Sequence, residues 1–169
     1  MARIEGKVGF VDGENMYHVM RKAGYRGLVS AEALMREMTH NMGPCRVWSQ
    51  KPVITMLPTF AEGAPGEAFR NAGFNVIGCT SDGEADDNTL KACIGKITSA
   101  IAAEVLILSC DGGYTKTLRD LKARRVRVVW AAADITDKTG NSCLSRGLQF
   151  RLKEEFQFVD LVRIFPRID

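Results

Sequence analysis

The chain has only two histidines in 169 residues, His18 and His40. Neither falls in an HxxxH or HExxH pattern, so a histidine-based metal centre is disfavoured. Cysteine is also poorly placed for crosslinking. The five, at 45, 79, 93, 110 and 143, are odd in number and include no CxxC pair. Neither a disulfide framework nor a zinc cluster is expected, and the thiols read as small buried hydrophobes. No apolar run approaches the ~18–20 residues of a membrane span. The opening "MARIEGKVGFVD" lacks the apolar core of a signal peptide, so the expectation is a soluble protein of the cytoplasm with no membrane partner. There is no GxxxxGK[ST] phosphate loop and no GxGxxG dinucleotide fingerprint, and internal repeats and low-complexity tracts are missing too.

What remains is an ordinary globular composition, 46% apolar and 25% charged with a net charge of +3. That length and content suit one domain over 1–169 with a core of its own. Apolar runs at 7–11, 74–79, 104–109 and 126–133 read as strands. Residues 45–57, interrupted by Pro52, read as one bent strand or two. Between them lie helical patterns: "NMYHVMRKAG" ended by Gly24, a helix capped by Ser30, "EAFRNAG", a helix through "ADDNTLKACIGKITSAI" opened by the capping box "SDGE", and "YTKTLRDLKARR". The Pro- and Gly-rich "LPTFAEGAPG" reads as a surface loop, as does the polar "DITDKTGNS". Residues 140–169 form a C-terminal extension, helical in part with a short extended tail, suited to covering the sheet or meeting a partner. Unbroken apolar strands alternating with helices predict a three-layer α/β/α sandwich around a mostly parallel sheet, Rossmann-like in plan.

Two of those strands end in a carboxylate. "VGFVDGENMY" breaks at Asp12 and "VLILSCDGGY" at Asp111. In open parallel sheets ligands bind beyond the carboxyl ends of the strands. Neighbouring strands would therefore turn both acids into one crevice. A third acidic feature is "EADDN". At about 100° per residue, Asp86 and Asp87 flank the apolar stripe of Leu90, Cys93, Ile94, Ile97 and Ile101. Each feature alone also reads as a turn acid or a helix-start acid. Together they would repel unless a cation neutralised them. Oxygen ligands with few histidines suit Mg²⁺ or Mn²⁺, and such an ion supports phosphodiester hydrolysis.

On these residues the chain resembles the NYN domains, the ribonuclease branch of the PIN-like superfamily. "FVDGEN" is similar to their first motif, with Asp12 and Asn15. "ADDNTL" is similar to the second, with Asp86 and Asp87. "VLILSCDGGYTKTL" is similar to the third, with Ser109, Asp111 and Tyr114. The resemblance covers roughly residues 7–133. It implies a PIN-like α/β/α fold, a carboxylate-held Mg²⁺ or Mn²⁺, and RNA as the substrate or ligand. Asp12, Asp87 and Asp111 would carry over as catalytic metal ligands, with Asp86 as a fourth. Asn15 and Ser109 would orient the acids or contact substrate. Many members carry another Asp two residues after the third-motif acid, where this chain has Gly113. Asp134 and Asp137 stand as replacements, although their ordinary reading is loop acids.

The stretch "KTLRDLKARRVR" sets Lys and Arg against a single acid, Asp120. Its helix starts just after Asp111, which makes Lys116 and Arg119 candidate contacts for a nucleic-acid backbone. Tyr17, Tyr114 and Trp48 are the candidate stacking aromatics, Trp48 with a stronger claim as a core residue. His18 is a candidate base. The leading expectation is a metal-dependent endoribonuclease acting on single-stranded RNA, with a homodimer left open. One alternative is an RNA-binding or regulatory protein on the same fold with a weakened site. Another is an α/β phosphatase; the haloacid-dehalogenase type also ends its first strand in Asp, but wants a second Asp where this chain has Glu14.

Overall fold

The computed structural model describes residues 6–79, 83–134 and 153–166, apart from the side chains of 83–87. Ser81, Asp137, Cys143 and the first part of the C-terminal extension lie outside the described residues, as does most of "DITDKTGNS".

Six strands form one sheet in the order β3-β2-β1-β4-β5-β6, and every neighbouring pair is parallel. The centre is β1 (Lys7–Asp12) beside β4 (Glu104–Leu108), both buried along their whole length. Burial on two faces is why "VLIL" carries no polar alternation. On one side of this pair come β2 (Val53–Met56) and then β3 (Asn75–Gly78). On the other come β5 (Arg127–Ala132) and then β6 (Gln157–Asp160). Strand order therefore reverses between β1 and β4.

Right-handed crossovers place the helices. Along β1 to β3 the chain moves one way, so α1 (Gly13–Lys22), α2 (Ala31–His40), α3 (Pro58–Ala61) and α4 (Ala64–Asn71) cover one face. From β3 to β5 it moves back across the sheet. That puts α5 (Gly83–Gly95) and α6 (Thr115–Ala123) on the other face, packed against each other. The result is a three-layer α/β/α sandwich. Among the described residues no helix is long and apolar enough to cross a membrane.

Several local expectations are corrected. The stretch read as a loop, 57–66, holds α3 and the start of α4, each with proline in its first turn. Proline there gives up a donor that has no partner in the helix anyway. Helix α5 stops at Gly95, so Ile97 and Ile101 reach the core from a turn. Residues 45–57 contain one strand, β2, plus an isolated parallel bridge between Lys7 and Trp48. Trp48 packs against the core and its Nε1–H donates to Thr39 Oγ1 at 3.0 Å. The C-terminal extension adds a single turn, α7 (Lys153–Glu155), then β6 and a 3₁₀ turn at Val162–Ile164. It extends the sheet by a strand.

Candidate metal and nucleic-acid site

Asp12 is both the last residue of β1 and the N-cap of α1. One carboxylate oxygen, Oδ1, accepts the Asn15 N–H at 3.2 Å, and the residue is 2% exposed. Capping alone explains an acid at this point. It does not explain what the second oxygen meets. Oδ2 accepts the Ser109 hydroxyl at 3.3 Å, from a residue 97 positions away in sequence. Gly13 makes the close fit possible: a Cβ there would stand 2.1 Å from the Thr55 carbonyl oxygen. Any larger residue would push the first turn of α1 off β2 and carry Asp12 with it.

From β4 the matching loop is held by hydrogen bonds to β5, to α1 and within itself. Ser109, 1% exposed, accepts the Asp111 N–H on its Oγ at 3.0 Å. Its carbonyl accepts the Trp130 indole N–H from β5 at 3.0 Å. The Cys110 N–H donates to Asn15 Oδ1 at 3.0 Å, and that same oxygen lies 3.5 Å from Ser109 Oγ. Asp111 Oδ1 in turn accepts the Gly113 N–H at 2.9 Å, an Asx-type turn that leads into the 3₁₀ turn Gly112–Tyr114 and then α6. Asp12, Asn15, Ser109 and Asp111 thus belong to one hydrogen-bonded constellation. It sits where the strand order reverses, the place where ligands bind in open parallel sheets.

Asn15 meets the acid through its backbone and the opposite loop through its side chain. Its backbone N–H serves Asp12, while its side-chain oxygen receives Cys110. It is the strap between the two loops.

Helix α5 follows β3, so its first turns lie at the same end of the sheet as Asp12 and Asp111, and the helix packs against β1, α1 and α6. Asp86 and Asp87 belong to those turns; their side chains lie outside the described residues. Among the described residues no group of three or more His, Cys, Asp or Glu is placed to hold a metal ion. Two carboxylates are present, Asp12 and Asp111, and both offer hard oxygen donors. Carboxylate oxygen is the donor type that Mg²⁺ or Mn²⁺ takes.

Other predicted residues fall elsewhere. Tyr114 is 1% exposed and belongs to the core, so it has no face to offer a base. Arg119 is engaged by Glu155 of α7 in a two-pronged pair, Nε to Oε2 at 3.2 Å and Nη2 to Oε1 at 3.0 Å. It serves the C-terminal segment, not the crevice. Lys116 is exposed on the first turn of α6, beside Gly113. His18 is exposed with Nε2 3.7 Å from Glu14 Oε1. Glu14 itself is buried and lines an apolar hollow with Tyr17, Met56 and Phe60. Asp134 pairs with Lys153, and its N–H donates to Asp160 Oδ1 at 3.1 Å, which ties β5 to β6.

Two residues escaped the sequence reading. Trp130 anchors the Ser109 carbonyl; only its place in a strand was evident. Lys91 stands on α5 with its ammonium over the Tyr114 ring, 5.4 Å from the centroid. Its one sequence signal is the four-residue spacing from Asp87, which puts the two positions on one helix face.

Comparison with protein-family models gave no match, and no curated protein matches the chain.

Proposed function

We propose that the chain is a divalent-metal-dependent nuclease of the cytoplasm that cleaves single-stranded RNA, with Mg²⁺ or Mn²⁺ held by Asp12, Asp111 and an acid of α5, Asp86 or Asp87. The observation that carries this reading is the Ser109 bridge. A buried hydroxyl joins the acid that ends β1 to the loop that bears the acid after β4, at the switch point of the sheet. The three motifs that resemble those of NYN domains fall, in order, on β1–α1, α5 and β4–α6.

An ion bound there would hold a phosphate oxygen and lower the pKa of a water. The chain's own part is orientation and charge. Ser109 and the Asn15 N–H fix the Asp12 carboxylate, and the Gly113 N–H fixes Asp111. Lys116, at the mouth, draws phosphate toward the acids. The phosphatase alternative loses its second acid, because Glu14 lies in the apolar hollow. The binding-protein alternative keeps one observation in its favour. A Cβ on Gly113 would lie 3.4 Å from Lys91 Nζ and 3.4 Å from Asp111 Oδ1. A cation so close to Asp111 offsets part of the pull on a metal.

The test is cleavage of end-labelled single-stranded RNA with Mn²⁺, with Mg²⁺ and with EDTA, beside Asp111→Asn of unchanged melting behaviour. Cutting should need metal and fall at least about 100-fold in the variant. Equal cutting in EDTA overturns the proposal. RNA bound but never cut selects the binding-protein alternative.

A further inference from the structure

Beyond Asp111 the surface opens into a cleft of about 280 Å³ between α5 and α6, walled by Lys91, Gly113, Lys116, Thr117, Asp120 and Arg124 among others. Three of those six carry positive charge and one carries negative. Gly113 brings this wall next to Asp111: a Cβ there would stand 3.4 Å from both Asp111 Oδ1 and Lys91 Nζ. Its far wall is rigid. Arg124 Nη1 donates to the carbonyls of Gly95 at 3.1 Å and Ile97 at 3.0 Å, which caps the end of α5 and holds the two helices at a set spacing.

We infer that Lys91 and Lys116 bind a backbone phosphate of the nucleic acid in this cleft, one step along the strand from the acids. The inference deepens the nuclease reading and takes its ligand class from it. Lys91 is the better organised of the two. It is half-buried, and its ammonium rests over a tyrosine ring that is itself locked in the core, so little freedom is lost on binding. Lys116 is exposed and mobile in its rotamers, suited to long-range attraction. The volume admits a phosphodiester with several waters, a water taking about 30 Å³. Thr117 adds a hydroxyl on the same wall. Asp120 is the one carboxylate among these residues, and it sets a limit to how far an anion is welcome along α6.

Gly113 takes on a meaning here. A carboxylate at that position would pair with Lys91 and close the cleft to anions. Glycine at that position supplies no such carboxylate.

The experiment is anisotropy of a labelled single-stranded RNA in EDTA at several salt concentrations. The proteins are wild type, Lys91→Gln, Lys116→Gln, the double variant, and Lys51→Gln as control. Lys51 is exposed before β2, at the opposite end of the sheet, and its loss changes net charge as much as either single cleft variant does. The double variant should bind about tenfold more weakly than wild type near 0.1 M salt, and its log–log salt slope should be shallower by roughly 1.4. Lys51→Gln should match wild type. Equal weakening by Lys51→Gln and either cleft variant overturns the inference, as does absence of RNA binding by wild type. Because metal is withheld, the outcome is independent of cleavage. Lysine-dependent binding without cutting leaves the subsite standing while the nuclease reading falls, and cutting with lysine-independent binding does the reverse.

Discussion

Asn15 joins the two loops of the site, and its worth is measurable. Its side-chain oxygen is the acceptor for the Cys110 N–H at 3.0 Å, in a part-buried setting. Replacing it by alanine removes that acceptor and one of the ties between the loop after β4 and α1, leaving the Ser109–Asp12 bond and the Cys110–Met16 contact. Asn15→Ala should lower stability by about 1–3 kcal/mol, read as a shift in urea midpoint at constant slope. A loss under about 0.3 kcal/mol would mean that the loop holds itself. Asp12 and Asp111 stood out in the sequence because each breaks an apolar run, and a carboxylate at a buried strand end asks for a reason; Ser109 was marked only by the resemblance to the third motif. The sense of the Asn15 bond was not legible. Whether an amide donates or accepts depends on what faces it, and Cys110 is 95 residues distant. Lys91 was hidden for the same reason. Its setting is made by Tyr114 and Gly113, which reach it only once α5 packs on α6.

The elements themselves followed from pattern where the pattern was unambiguous. The apolar runs gave β1, β4 and β5, and Ser30 caps α2 by accepting the Ala33 N–H at 3.3 Å. Failures came where one residue type has two uses. Pro58 and Pro65 punctuate a loop and equally start a helix, and here they start α3 and α4. Ile97 and Ile101 continue the helical period of α5 although the helix has ended, because a turn capped by Arg124 presents them to the same core. Strand β6 was the least legible. Its partner is β5, and "QFVD" has neither the length nor the apolar run of a central strand. Its tie to the body is nonetheless substantial. Leu161, directly after it, is 1% exposed, and its N–H donates to the Ala132 carbonyl at 2.9 Å. Trp130 and Phe158 pair across the β5–β6 ladder with ring centroids 4.6 Å apart. Leu161→Ala should therefore cost about 2–5 kcal/mol of stability, the range of a core truncation, read by denaturant unfolding. A loss under about 1 kcal/mol would mean that this segment is an appendage, not part of the sheet's core.

The two ends of the sheet hold charge in different ways. At the carboxyl ends Asp12 and Asp111 are joined through Ser109. At the amino ends Lys7 and Glu104, cross-strand partners in register, are both fully buried. Lys7 Nζ donates to the carbonyls of Met38, of Thr39 at 2.8 Å and of Met42 at 3.4 Å, and so closes the end of α2. Glu104 Oε2 accepts from Arg127 Nη1 at 3.3 Å. Burial is the largest influence on both. It raises the Glu104 carboxyl above its ordinary 4.5, against the pull of Arg127 and Lys7. It lowers the Lys7 ammonium below its ordinary 10.5, against the pull of Glu104.

The sign of the pH dependence follows. A carboxyl whose pKa is higher folded than unfolded binds more protons in the native state. Its contribution is fully present below 4.5 and is lost as pH rises through the raised value. For the lysine the contribution is present above 10.5 and is lost as pH falls through the lowered value. A comparison with a variant that cannot ionise at position 104 isolates the carboxyl's share of the slope. Glu104→Gln keeps the shape and an acceptor for Arg127 but cannot ionise. Relative to wild type, the variant should gain stability as pH rises above the ordinary 4.5 and level off once pH has passed the raised value, measured as paired urea midpoints. Near pH 4, where Glu104 is protonated, the two curves should approach each other, apart from a constant offset for the changed amide. Parallel curves would mean that the carboxyl titrates alike in both states. A variant that loses ground with rising pH would mean that Arg127 and Lys7 outweigh burial, and that the pair is a net attraction at the closed end of the sheet.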